Sequence, residues 1–207
     1  MDAFWLALAS LIVVIGPWKA AIVFAERTTA LPLSERRLVA VATVIIGLTI
    51  SVVFVIAGDA LVEFFHIEPA AFLVAAGLLL LVFAIRMVIE EERDHSPPES
   101  DEGEPGTRAW RLAAYPLAVP LLITPPAIAT LIALSVQADV SDSSVVGLVA
   151  AILVVMAFNL VVFLVEAQWE QAIPMQVWSI AGRVLGVLLA AFGVSIIIEG
   201  IKTSGLV

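Results

Sequence analysis

Val14-Ile-Gly-Pro-Trp-Lys-Ala-Ala21 interrupts the first long apolar run of the chain, which extends from Phe4 to Phe24. Proline has no backbone N–H and its ring clashes with the preceding turn, so Pro17 is expected to break a helix here. Lys19 adds a charge at a depth where a membrane helix would otherwise face lipid. This combination is typical of a helix that is broken around a polar cavity inside a membrane protein.

A second stretch, Pro120-Leu-Leu-Ile-Thr-Pro-Pro-Ala-Ile-Ala-Thr130, interrupts a later apolar run in the same way. Pro125 follows Pro17 by 108 residues, and an offset of 108–109 also aligns Gly77-Leu-Leu-Leu-Leu-Val-Phe83 with Gly186-Val-Leu-Leu-Ala-Ala-Phe192. Because each repeat contains an odd number of predicted spans, the two halves have opposite topology. This pattern predicts the inverted repeat of secondary transporters, with a binding site between the paired broken helices.

The composition places the chain in the membrane. Of its 207 residues, 62% are hydrophobic and only 14% are charged, whereas soluble domains carry about 25% charged residues. Cysteine is absent, which excludes disulfides and thiol chemistry. The two histidines, His66 and His95, fall in predicted loops and do not form a metal or catalytic cluster. We therefore expect neither an enzyme nor a bound cofactor.

Six segments are apolar over the roughly 20 residues that a span requires; they are 4–24, 38–58, 70–89, 112–136, 145–165 and 179–199. We predict an all-α polytopic membrane protein with six transmembrane helices in two inverted three-helix repeats, in which the first and fourth helices are broken. The first repeat comprises residues 1–89, an acidic linker residues 90–111, and the second repeat residues 112–207. The linker is rich in Pro, Gly and Ser, as in a solvated tether.

The distribution of positive charge predicts the orientation. Eight of the ten basic residues fall on alternate segments that share one side of the membrane, namely Arg27, Arg36, Arg37, Arg86, Arg93, Arg108, Arg111 and Arg183. By the positive-inside rule this side is cytoplasmic, so both termini lie outside the plasma membrane. We expect the lipid bilayer and a small-molecule substrate as partners, and no nucleic acid; a homo-oligomer is also open.

Helix breaks free backbone N–H and C=O groups, and in a transporter the ligand can satisfy them. A half-helix N-terminus favours an anionic group and a C-terminus a cationic one, so two facing breaks suit a small zwitterion. An ordinary proline kink is the alternative for either break taken alone. The candidate substrate-binding residues are Gly16, Pro17, Trp18, Lys19, Ala20, Thr124, Pro125, Pro126, Ala127, Thr130, Ser51 and Asn159.

Three polar candidates have competing interpretations. Lys19 either binds a carboxylate or couples transport by titration, or it extends its side chain to the interface near Phe24. Asn159 and Ser51, which are related by the repeat offset of 108, either line the pathway or make hydrogen bonds between helices.

Four stretches are similar to one family of membrane proteins: Leu33-Ser-Glu-Arg-Arg37, Ala76-Gly-Leu-Leu-Leu-Leu81, Pro116-Leu-Ala-Val-Pro-Leu-Leu122 and Gly186-Val-Leu-Leu-Ala190. With them the chain resembles, over nearly its whole length, the MarC family of six-span proteins, within the broader group that includes LysE-type amino-acid exporters. The resemblance implies a six-span fold and transport of small neutral amino acids, notably glycine and alanine.

The two breaks depart from the family pattern. Gly16-Pro17-Trp18-Lys19-Ala20 stands where the family has Asn-Pro-Ile-Gly-Asn, and Thr124-Pro125-Pro126 where it has Gly-Pro-Gly. The prolines remain, but both asparagines are replaced and a cation is added, which suggests an altered or anionic ligand. We expect a secondary transporter or exporter of a small amino acid or related metabolite that works by alternating access. The alternative is a non-transporting structural or regulatory membrane protein whose site Trp18 and Lys19 occlude.

Overall fold

The computed structural model describes residues 2–89, 105–137, 142–169 and 175–205, and every regular element in these ranges is a helix. The helices are α1 (Asp2–Val14), α2 (Trp18–Thr28), α3 (Leu33–Phe64), α4 (Pro69–Ile89), α5 (Pro105–Leu112), α6 (Pro125–Gln137), α7 (Asp142–Gln168) and α8 (Met175–Thr203). Between α5 and α6 lies an irregular, widened helical segment, Ala113–Leu122. Within it Tyr115 and Val119 are extended, and each precedes a cis proline.

Four of the described helices are long and apolar enough to cross a bilayer, and they contain Leu33–Phe64, Pro69–Ile89, Val145–Gln168 and Gly182–Thr203. A fifth span is possible by length and composition if Thr107–Leu122 and Pro125–Gln137, which are bent by 65° at their break, are taken together. The predicted all-helical membrane architecture is therefore confirmed. The count of six spans and the inverted repeat stay predictions.

Several helices extend past the apolar segments that predicted them. α3 begins at Leu33 and ends at Phe64, whereas its apolar segment covers only 38–58. The helix can continue beyond that segment because it satisfies its own backbone hydrogen bonds in water as well as in lipid. The chain is likewise helical from Pro105, ahead of the fourth predicted span at 112–136, and Ala109 is fully buried. The remaining linker residues, 90–104, lie outside the described ranges.

Glycines allow α4 and α8 to pack backbone against backbone. A Cβ atom on Gly77 would lie only 2.5 Å from the carbonyl oxygen of Gly193, and one on Gly200 would lie 2.8 Å from that of Ala70. Close packing through small residues is a principal means by which membrane helices associate. It holds α4 against α8, and Phe83 of α4 lines the candidate site.

α3 and α7 hold the two helix breaks. α3 packs on α6, on α7 and on the irregular segment, and a Cβ on its Gly47 would lie 2.9 Å from the side chain of Leu122. α7 packs on α1 and α2, where Phe163 stacks on Phe24 with ring centroids 5.2 Å apart. Each break is thus supported by a long helix from the other half of the chain.

Candidate functional site

The first break separates α1 from α2. α1 ends at Val14 and α2 begins at Trp18, so the prediction of a helix break at Pro17 is confirmed. Gly16 and Pro17 are both buried. Pro17 occupies the N-cap position of α2, and its own side chain cannot cap the helix. The break therefore leaves polar backbone groups inside the protein, where they need partners.

Asn159 of α7 meets the first break directly. Its Nδ2 atom donates to the carbonyl oxygen of Ile15 at 3.0 Å and to that of Val155 at 2.8 Å. The bond to Ile15 satisfies a carbonyl at the helix break. The side chain is fully buried, and its Oδ1 atom has no hydrogen-bond partner among the described residues.

The second break lies at Ile123 and Thr124, between the irregular segment and α6, as predicted. Thr124 caps α6, since its Oγ1 atom accepts from the backbone N–H of Ala127 at 3.2 Å. Its carbonyl oxygen accepts from Ile128 at 3.1 Å. Pro125, the first residue of α6, has no N–H to donate.

Pro126 also lacks an N–H, so each of residues 125–128 in the first turn of α6 either has no backbone N–H or has one that is already hydrogen-bonded. The hydroxyl of Thr124 keeps its own O–H as a donor. At the first break the N-cap residue of α2 is Pro17, which makes no such cap. The two breaks are thus chemically different.

A small pocket lies between the two breaks. Its walls come from the end of α1 and the first break, from α4, and from the second break, namely Val13, Val14, Gly16, Phe83, Met87, Leu121 and Thr124. Its free volume of about 10 Å³ has room for about one water molecule. Apolar side chains form most of its wall, and Thr124 supplies a hydroxyl.

The chain is similar to one family of membrane proteins over nearly its whole length. The model of the MarC family of integral membrane proteins matches residues 1–204. The chain belongs to the MarC family. It is therefore an integral membrane protein, and the resemblance inferred from its motifs is confirmed.

Relatives of this MarC family protein occur in archaea and bacteria. A UPF0056 membrane protein of Methanocaldococcus jannaschii is 32% identical over 98% of this chain and 97% of its own length. A UPF0056 membrane protein of Aquifex aeolicus is 27% identical over 95% of this chain and 91% of its own. The UPF0056 inner membrane protein YhgN of Escherichia coli is 24% identical over 81% and 80%. No solved structure shows significant similarity to the chain.

The structure brings only part of the predicted MarC site to the pocket. Of the predicted residues, Gly16 and Thr124 line it. The backbone of Trp18 and Lys19 forms the first turn of α2, but their side chains lie outside the described part of the structure. Pro125 begins α6 and is exposed. The remaining break residues are buried in the helices beside the pocket, namely Pro17, Ala20, Pro126, Ala127 and Thr130.

Ser51 has an unusual environment for a helical serine. Thr43 of the same helix and Thr130 of α6 each donate to the carbonyl four residues earlier. The Oγ atom of Ser51 is fully buried and has no such partner among the described residues. Ser51 lies between Gly47 and Gly58, whose Cβ positions would contact the irregular segment and α6. Helical spacing therefore places it on the face of α3 that covers the second break.

Sequence reasoning missed the contribution of α4 to this MarC family site. Phe83 and Met87 line the pocket, although only Phe83 carried a signal, as the last residue of a motif shared by the two repeats. The sequence analysis also did not predict that Glu166 of α7 is buried, with only 3% of its surface exposed. The available signal for Glu166 was its place directly after the apolar segment 145–165, where α7 continues. Within the described ranges, no group of three or more acidic or histidine side chains could hold a metal ion.

Proposed function

We propose that this MarC family protein is a secondary transporter of a small amino acid, such as glycine or alanine, or of a related small metabolite. The observation that supports this proposal best is the pocket bounded by both helix breaks and by α4. In secondary transporters, substrate sites lie between paired broken helices whose freed backbone groups bind the solute. The start of α2 provides backbone groups of this kind, and the side-chain amide of Asn159 adds a polar group beside them.

The proposed mechanism is alternating access between two inverted three-helix halves of a six-span protein. Contacts between equivalent helices support it, because α3 packs on α7 and α4 packs on α8. The pocket holds about one water, so in this conformation the halves are closed and must separate to admit a solute. We further propose that the arginine-rich ends are cytoplasmic and that both termini lie outside the plasma membrane.

Counterflow in sealed proteoliposomes tests the transport proposal. Labelled glycine or alanine would be exchanged against a panel of unlabelled amino acids and small organic acids, with protein-free vesicles as the control. Saturable exchange of glycine or alanine is the expected result. Exchange of organic acids alone would assign specificity to an anion, and no exchange by well-folded protein would contradict the proposal.

A non-transporting structural or regulatory role is the second candidate, and the small size of the pocket favours it. Restoring the family residues at the first break, with Lys19→Gly and Ala20→Asn, separates the two candidates. Exchange that appears only in the restored protein would support an occluded, non-transporting parent. Exchange already present in the parent would exclude this candidate.

A further inference from the structure

Two side chains of α4, Phe83 and Met87, form one wall of the small pocket. They stand four residues apart, so helix geometry places them on the same face of α4 in consecutive turns. Met87 is buried and Phe83 is half-buried. Much of the remaining wall comes from the two breaks, where Gly16 has no side chain and Thr124 is held by its bond to Ala127. α4 therefore contributes a rigid ring and the most flexible side chain of the wall.

Glycines of α8 lie behind Met87 and leave it room to move. A Cβ atom on Gly182 would lie 3.6 Å from Cε of Met87, and one on Gly186 would lie 3.5 Å from Cβ of Met87. Among the described residues, Met87 Cε is the only atom within 4 Å of the Cβ position at Gly182. A methyl group therefore fits beside the end of the Met87 side chain. Since methionine is unbranched and adapts to irregular gaps, this side chain can withdraw toward Gly182 and enlarge the pocket.

We propose that Phe83 and Met87 form the size filter of the MarC site and restrict the solute to a side chain about as small as a methyl group. This inference rests on the proposed function and names the residues that select among amino acids. The closed pocket has room for about one water molecule. Withdrawal of Met87 toward Gly182 adds room for a methyl group, whereas the ring of Phe83, which packs against the buried core, excludes larger groups.

Binding of a graded series of amino acids to the purified full chain tests the filter without requiring transport. The melting temperature in detergent would be measured at increasing concentrations of glycine, alanine, valine and leucine, since a ligand that binds only the folded protein raises it. The parent protein should respond to glycine and alanine but not to valine or leucine. Equal responses to all of these solutes, or no response to any of them, would overturn the proposal.

Substitutions in the wall should change which solutes bind. Phe83→Ala removes the ring and Met87→Ala removes the flexible chain, so each should improve the affinity for valine relative to glycine by about 10-fold. If an alanine protein does not fold, Phe83→Leu and Met87→Val change the wall less and in the same direction. Val82→Ala is the matched control, because Val82 is exposed on the same helix. A purely structural loss would lower the melting temperature with every solute alike, and an unchanged order of solutes would overturn the proposal.

Gly182→Ala tests the room behind Met87 without altering the pocket wall. The new methyl group would occupy the space into which Met87 withdraws, so alanine should bind about 10-fold more weakly relative to glycine. Gly147→Ala makes the same change in α7, where no described atom lies within 4 Å of the Cβ position, and serves as the control. An unchanged ratio of the two affinities in Gly182→Ala would overturn the withdrawal of Met87.

Counterflow separates the size filter from the transport proposal. A changed order of solute binding in Phe83→Ala, without counterflow by any of the proteins, would refute transport and leave the filter intact. Counterflow of glycine by the parent protein, with the same order of solutes in Phe83→Ala, would refute the filter alone.

Discussion

Arg37 of α3 donates from Nη2 to Oε1 of Gln168 in α7 at 2.6 Å. The bond joins two helices that the repeat offset makes equivalent, at the arginine-rich end of α3. Near the other end of α3, the backbone N–H of Asp59 donates to Ser135 Oγ of α6 at 3.3 Å. α3 is therefore held against the second half of the chain at both ends.

We predict that Arg37→Ala loosens the arginine-rich end and exposes the pocket from that side. The chain contains no cysteine, so a single Leu121→Cys substitution in the pocket wall can report access to a membrane-impermeant maleimide. We expect faster labelling from the side of Arg37, because one hydrogen bond contributes only about 1 kcal/mol and its loss permits opening without unfolding.

Lys202→Ala is the control for this experiment, since it removes one positive charge at the far end of α8, where Lys202 is exposed. Gln168→Ala removes the other partner of the bond and should give the same labelling rate as Arg37→Ala. Equal labelling in the Arg37→Ala and Lys202→Ala proteins would show that charge, rather than the bond, sets access.

Gly77→Ala should destabilise the protein. The new methyl group would lie 2.5 Å from the backbone oxygen of Gly193, so α4 and α8 would have to move apart. Overpacking of this kind costs about 1–3 kcal/mol. The measurement is the melting temperature in detergent, compared with that of Gly147→Ala. No atom lies within 4 Å of the Cβ position at Gly147, where alanine should be neutral or stabilising. Equal melting temperatures would contradict the close packing of α4 and α8.

Thr124→Val should weaken the start of α6. Valine has nearly the shape of threonine but cannot accept the N–H of Ala127, which is the only side-chain cap of this turn in the described structure. Loss of an N-cap costs about 1 kcal/mol. Denaturant-induced unfolding in detergent, followed by circular dichroism, measures the change. Thr124→Ser keeps the hydroxyl and should be close to the parent, and a serine protein as unstable as the valine protein would argue against the cap.

Lys19→Met tests the anionic half of the proposed substrate. If Lys19 and the start of α2 bind the solute carboxylate, the KM of glycine counterflow should rise about 10-fold or more, because a charge-assisted hydrogen bond is lost. Lys202→Met is the matched control near the other end of the chain. An unchanged KM with normal expression would indicate that Lys19 extends to the membrane interface instead.

The positions of the helix breaks follow from local chemistry. Proline cannot continue the hydrogen bonding of a preceding helical turn but is tolerated in a first turn, and Pro17 and Pro125 do stand where α2 and α6 begin. The apolar runs likewise predicted the cores of α3, α4, α7 and α8. The ends of these helices were less predictable. α3 includes the charged residues Arg36 and Glu63, which lie beyond the apolar segment that predicted the helix.

No pattern in the sequence predicted which residues far apart in the chain contact each other. Asn159 bonds to Ile15 across 144 positions, and Gly77 meets Gly193 rather than Gly186, its repeat partner. Local composition determined the helices, their breaks and the membrane environment, because hydropathy and proline geometry act within a few residues. Only the tertiary structure decided that α4 closes the pocket and that the amide of Asn159 lies at the first break, because such contacts depend on how the helices pack together.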